Sequence, residues 1–209
     1  MTHSAPNVLE RFLRYVQFDT QSDETSAAAP STAKQLKLAE ALKDELHQLG
    51  IANAVIGQGG VVYAHIPASP SCEDLPAVGF IAHMDTSPDA SGLHVKPQII
   101  RFDGTDVLLN QTEGIRFPVE RFPEIKKYIG EDVIFTDGTT LLGADDKSGI
   151  AAIMDMAAKI TADPTIAHAK LCIAFTPDEE IGRGTANFDL ERFGADWAVT
   201  IDGGEVGTL

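Results

Sequence analysis

Basic residues are scarce in this chain. Its 209 residues carry 16 Lys and Arg against 31 Asp and Glu, a formal net charge of −15. A surface of that sign repels phosphate backbones and anionic lipid, so composition argues against nucleic acid and membrane partners. Cysteine is scarcer still: Cys72 and Cys172 stand far apart without CxxC spacing. They read as one surface thiol and one buried strand residue, which suits a reducing compartment rather than a disulfide framework. No apolar run approaches the ~18 residues of a membrane span. The start, Met1-Thr2-His3-Ser4-Ala5-Pro6, lacks the basic and apolar regions of a secretion signal. The expectation is a soluble, cytoplasmic protein. Internal repeats and low-complexity tracts are missing too. What remains, with 44% hydrophobic residues, suffices for one α/β domain with a real core.

Leu9, Phe12, Leu13 and Val16 recur at helical spacing, which predicts an amphipathic helix over about 7–17. Pro30-Ser31-Thr32 offers the start of a second helix, which continues through Leu36, Leu38, Leu42 and Leu46 to a stop at Gly50. Apolar runs at 54–56 and 61–66 flank Gly57-Gln58-Gly59-Gly60 as a hairpin, and 77–82 reads as a buried strand. Asp137-Gly138 between 133–136 and 139–142 predicts another hairpin. A helix over 148–160 and strands over 170–175 and 197–201 follow. Strands alternating with helices predict an α/β fold, a largely parallel sheet flanked by helices. Residues 84–130, with glycines at 92, 104 and 114 and a short helix near 124–128, read as a long irregular insertion that helps form a site or rim.

The chemistry is concentrated where apolar runs give out. Ala77 to Ala82 ends in His83-Met84-Asp85, and Asp145-Asp146, Asp178-Glu179-Glu180 and Asp202 each follow another such run. In open α/β sheets, ligands bind beyond the carboxyl ends of the strands, where loops converge. Each motif has an ordinary meaning on its own. His-x-Asp is often a turn histidine beside a solvated Asp, Asp145 and Asp146 can cap a helix, and Asp202 before two glycines can end a strand. Taken together, a His and carboxylates from four strand ends are the ligand set of a pair of divalent metal ions, with carboxylate left for acid/base work. The 83–85 spacing lets Asp85 accept the spare ring N–H of His83. If Glu180 binds metal, Glu179 projects differently and can serve as general base. A calcium or magnesium module of the same carboxylates fits less well, because hard cations prefer all-oxygen sites and His83 is not one.

These segments resemble a known family. Ala82-His83-Met84-Asp85-Thr86-Ser87-Pro88-Asp89, Leu142-Gly143-Ala144-Asp145-Asp146-Lys147-Ser148-Gly149, Phe175-Thr176-Pro177-Asp178-Glu179-Glu180 and Ile201-Asp202-Gly203-Gly204 look like the successive motifs of the peptidase T family of co-catalytic zinc exopeptidases. The likeness extends over nearly the whole chain, to Arg11-Phe12-Leu13-Arg14-Tyr15-Val16 and Phe18-Asp19-Thr20-Gln21-Ser22. It implies a tripeptide aminopeptidase with a zinc exopeptidase catalytic domain. It further implies that His83, Asp145 and Asp202 bind one zinc, that Asp145 bridges to a second, and that Glu180 binds the second. Asp85 would orient His83, Glu179 would be the general base, and the Asp145–Asp146 peptide bond would be cis.

The chain departs from the family in length. Relatives continue past the Asp-Gly-Gly segment into a lid and dimerisation domain and return with a last His ligand, whereas this sequence stops at Leu209. The resemblance therefore places residues 1–209 in the N-terminal part of the catalytic domain, with the lid absent. The complete protein would be a homodimer acting on tripeptides. One of its two Zn2+ ions is expected to bind tightly to the present chain, and a catalytically silent metal-binding fragment is the alternative.

Overall fold

The computed structural model describes residues 6–204. Helix α1 spans Val8–Tyr15 and opens with a capping box. The Asn7 side chain accepts the Glu10 N–H at 3.0 Å, and the Glu10 carboxylate accepts the Asn7 N–H at 2.9 Å. Helix α2 spans Gln35–Gln48 and buries Leu38, Leu42 and Leu46. It begins after the expected Pro30-Ser31-Thr32 start and lacks a side-chain cap. Ser31 is engaged elsewhere: its N–H and hydroxyl both donate to Asp178.

A tight turn at Gly57 to Gly60 joins β1 (Val55–Ile56) to β2 (Val62–Ile66) in the expected hairpin. Strand β3 covers Val78–His83. Between 84 and 135 the structure is more regular than its sequence suggests. Strands β4 (Gln98–Arg101), β5 (Val107–Asn110), β6 (Ile115–Phe117) and β7 (Asp132–Phe135) form two antiparallel pairs, β4 with β7 and β5 with β6. Phe102, Val107, Val119 and Phe135 make a small core of their own there. Strands of three or four residues broken by Gly and Pro give too little alternation to be read.

The 133–136/139–142 hairpin does not form. Strand β7 pairs with β4, Gln98 opposite Phe135, and Asp137 turns the chain by accepting the Thr139 N–H and hydroxyl at 3.0 and 2.5 Å. Asp137-Gly138 is thus a turn, but one that leads into helix α3 rather than into a returning strand. Helix α3 (Ala144–Ala162), strand β8 (Leu171–Thr176), the short helix α4 (Leu190–Phe193) and strand β9 (Trp197–Thr200) complete the order.

The main sheet runs β1-β2-β8-β3-β9. Strands β8, β3 and β9 are parallel, and the β1–β2 hairpin adds an antiparallel edge, so the sheet is mixed and its site-bearing half is the parallel one. Alternation along each strand sets the two faces. Val62, Ala64, Ile66, Ala82, Leu171, Ile173 and Phe175 pack under α1, α2 and α3 in the larger core, whereas Tyr63, Cys172 and Ala174 meet Phe193 on the other face. Gly79 is required there, because a Cβ would stand 2.4 Å from the Phe193 ring and 2.8 Å from Ala198 Cβ. On β9, beyond β3, Trp197 is more than half exposed.

The larger core also holds charge. Arg11 is fully buried and pairs with Glu45 at 2.9 Å and Asp155 at 3.1 Å, joining α1, α2 and α3. The Tyr15 hydroxyl donates to Glu45 at 2.6 Å, and burial first, then the Glu45 charge, raises its pKa. Cys72 is half-buried and Cys172 buried, both free. Among the described residues no helix is long and apolar enough to cross a membrane.

Candidate metal centre

The register of the parallel strands decides where their ends meet. His83, last in β3, lies opposite Thr176, last in β8, and Ile81 lies opposite Thr200, last in β9. Three adjacent carboxyl ends therefore open on one crevice. Strand β3 delivers His83 and Asp85, β8 delivers Asp178 to Glu180, and β9 delivers Asp202. Asp145 comes from the start of α3, which packs against β3.

His83 is buried, with both ring nitrogens engaged. Nε2 stands 2.8 Å from Asp145 Oδ1 and 3.8 Å from Glu179 Oε2. Nδ1 faces the Asp85 carbonyl at 3.1 Å and its carboxylate at 3.4 Å. A ring nitrogen of His83 and carboxylate oxygens of Asp145 and Asp202 all lie within 4.8 Å of one another. The Asp145–Asp146 bond is cis, as the resemblance implied, and Asp145 and Asp146 depart from helical dihedrals.

Electrostatics at this point favour a cation. Burial alone would lower the His83 pKa, but the carboxylates of Asp85, Asp145 and Asp146 outweigh it and hold the ring up at about 10. Burial pushes Asp146 up to about 7, with the Asp202 charge adding to it. Glu180 is raised by burial first, then by Asp145, Asp85 and Glu179. Carboxylates that resist losing their protons and an imidazole that resists giving one up both mark a place short of positive charge. One imidazole nitrogen and two carboxylate oxygens make a donor set that zinc accepts, with room for a further ligand. Glu180 lies beside this group without joining it.

Comparison with known proteins finds peptidases. A peptidase T of Desulfitobacterium hafniense (strain Y51) is 56% identical over 204 residues, 97% of this chain and 49% of that protein. A peptidase T of Clostridium acetobutylicum is 53% identical over 203 residues, 97% of this chain and 50% of that protein. This chain resembles one half of peptidase T. It spans about half the length of the curated relatives it matches. No family model matches it. Among solved structures, a tripeptidase from Staphylococcus aureus superposes with a TM-score of 0.64 at 25% identity, over 94% of this chain and 43% of that one. The aminopeptidase PepT from Bacillus cereus shares the fold, with a TM-score of 0.65 at 23% identity over 94% of this chain and 43% of that one.

The segment from Asp146 to Gly149 holds further residues that shape the site. Asp146 is buried, and its carboxylate accepts the His83 N–H at 3.1 Å and the Gly149 N–H at 3.2 Å. Gly149 has no room for a side chain, since a Cβ would stand 2.4 Å from Asp146 Oδ1 and 2.6 Å from the Ile201 carbonyl. The glycine thus lets α3 approach the end of β9 next to Asp202. Lys147 is buried and donates to the Phe18 carbonyl at 2.8 Å. Burial lowers its pKa to about 8 against the opposing pull of Asp19 and Asp85. A lysine and a glycine two and four residues after Asp145 were the available signals, but Phe18 and Ile201, which they meet, lie far away in sequence.

Proposed function

We propose that this chain is the metal-bearing part of a zinc-dependent aminopeptidase that releases the N-terminal residue of a tripeptide. The supporting observation is the close group of His83, Asp145 and Asp202 at the converging ends of β3, α3 and β9, in a chain similar to peptidase T. In this reading those three residues hold one zinc, and Asp145 and Glu180 contribute to a second. Zinc bound there supplies a Lewis acid that polarises the scissile carbonyl and makes water a better nucleophile near neutral pH.

The protein side chains do the rest. Asp85 fixes the orientation of the His83 ring through Nδ1, leaving Nε2 to face Asp145. Glu179, half exposed and 3.8 Å from His83 Nε2, takes the proton of the attacking water and passes it to the departing amino group. The acid-rich mouth attracts the free ammonium group of a peptide, as cleavage at an N-terminus requires. The preference for tripeptides is supported by the names of the relatives.

On this reading His83, Asp145 and Asp202 would be ligands of the first ion, and Asp145 and Glu180 of the second. Elemental analysis after dialysis should therefore find close to one zinc per chain, and hydrolysis of tripeptides should be weak, release only the N-terminal residue and disappear in Glu179→Ala. Failure to retain zinc, or turnover indifferent to Glu179→Ala, would overturn the reading. A metal-binding chain without turnover is favoured by the absence of Glu180 from the close group. Zinc retained with no tripeptide cleaved would select that reading.

A further inference from the structure

Glu179 and Glu180 ride on a single 3-10 turn, Glu179–Ile181, between two left-handed residues, Asp178 at φ 61° and Gly182 at φ 71°. So short a turn has little rigidity of its own, and its direction is set by what grips it. From β3, the Asp85 carboxylate accepts the N–H groups of Glu179 at 2.9 Å and Glu180 at 3.2 Å. A second grip comes from the segment before α2.

Asp178 is buried, at 4% exposure. Its carboxylate accepts the Ser31 N–H at 2.7 Å, the Ser31 hydroxyl at 2.5 Å and the Gln35 side-chain amide at 2.7 Å. Its own N–H donates to Gln35 Oε1 at 3.2 Å. Gln35, fully buried, thus holds both the backbone and the side chain of a residue in a region that non-glycine residues seldom occupy. Further along, the Arg183 guanidinium donates to the Ser26 and Glu24 carbonyls at 2.6 and 3.0 Å, and the Arg183 N–H returns to the Asp178 carbonyl at 2.8 Å. Residues 178–183 are fastened at both ends to 24–35.

We propose that Asp178, with Ser31 and Gln35, is a positioning device that aims Glu179 and Glu180 at the metal group without touching metal or substrate. The proposal rests on the roles given above to those two glutamates. Three donors converge on one buried carboxylate, which an apolar or amide side chain of the same volume cannot match.

The test uses Ser31→Ala and Gln35→Leu, both outside the metal group. In the metal-free chain, amide hydrogen exchange followed by NMR should quicken about tenfold or more at Glu179 and Glu180, while β3 and β8 keep their protection. In a zinc titration the tighter step should be unchanged within about twofold, and the weaker step, assigned to Glu180, should fall by about 10–100-fold. Asp178→Asn, which keeps one acceptor oxygen, should lie between the parent and Asp178→Ala. Unchanged exchange at Glu179 and Glu180, or protection lost equally throughout β3 and β8, would overturn the proposal. Lack of a weaker zinc step in the parent would instead remove Glu180 as a ligand and leave exchange to decide. Should Gln35→Leu fail to fold, Ser31→Ala, which retains the backbone donor, decides alone.

Discussion

The backbone N–H of His83 donates to the side chain of Asp146 across 3.1 Å. Strand β3 and helix α3 are thereby locked together at the residue that faces the candidate metal, and the lock is neighbour to Asp145 on the same chain. Asp146→Ala should weaken zinc binding by about 10–100-fold, as loss of an outer support commonly does, without removing a ligand. His83→Ala should lose more. Equal losses in a competitive chelator titration would mean that Asp146 is itself a ligand.

Glu179 and Glu180 are adjacent, yet their assigned roles separate under mutation. Glu179→Ala should leave bound zinc unchanged and reduce tripeptide turnover by about 10²–10⁴-fold, the usual loss for a general base. Glu180→Ala should weaken the second metal step. Metal analysis that showed the reverse pattern would exchange the two roles.

Gly149 meets Asp146 and the Ile201 carbonyl at distances that no Cβ tolerates. Gly149→Ala should destabilise the chain by about 1–3 kcal/mol through overpacking, and should displace Asp146 as well. Urea denaturation measures the first effect and zinc titration the second. A variant as stable as the parent would show that α3 does not approach β9 so closely.

Asp137, beside Lys96 at 2.9 Å, gives a pH dependence away from the metal group. The Thr139 hydroxyl, then Lys96, holds its carboxyl down at about 2, below the usual 3.8. A group whose folded pKa is depressed stabilises above its unfolded value and loses that contribution as pH falls towards its folded value. Asp137→Asn should therefore melt below the parent at neutral pH, with the gap in Tm closing between about pH 4 and pH 2. A gap independent of pH would mean that the turn geometry, not the charge, is what matters.

The site was more legible than its scaffold. That His83 and the carboxylates of 145–146, 178–180 and 202 converge could be read because each ends a strong apolar run or opens a helix, and parallel strands bring such ends together whatever lies between them; the choice of Asp145 and Asp202 as partners of His83 came from the resemblance. The strands of 98–117 escaped notice because they are short, and the Asp137-Gly138 hairpin was misread because a turn does not specify which strand its flanks will join. Asp178 was visible within an acidic triplet, but its partners Ser31 and Gln35 lie on the far side of the sequence. The apolar stripe of α1 likewise gave no sign that Arg11 would be buried among acids from two other helices.

Trp197 is the one indole of the sequence, and it stands more than half exposed on β9, the strand that leads to Asp202. Intrinsic fluorescence of the native chain therefore reports from a single address, the edge strand that carries Asp202 at its far end. Because β9 is held in the sheet by β3 alone among the described residues, its detachment is a local event that emission can register while far-ultraviolet circular dichroism still records intact helices. A fluorescence midpoint that precedes the dichroism midpoint would mark release of the Asp202 strand as an earlier step than collapse of the domain.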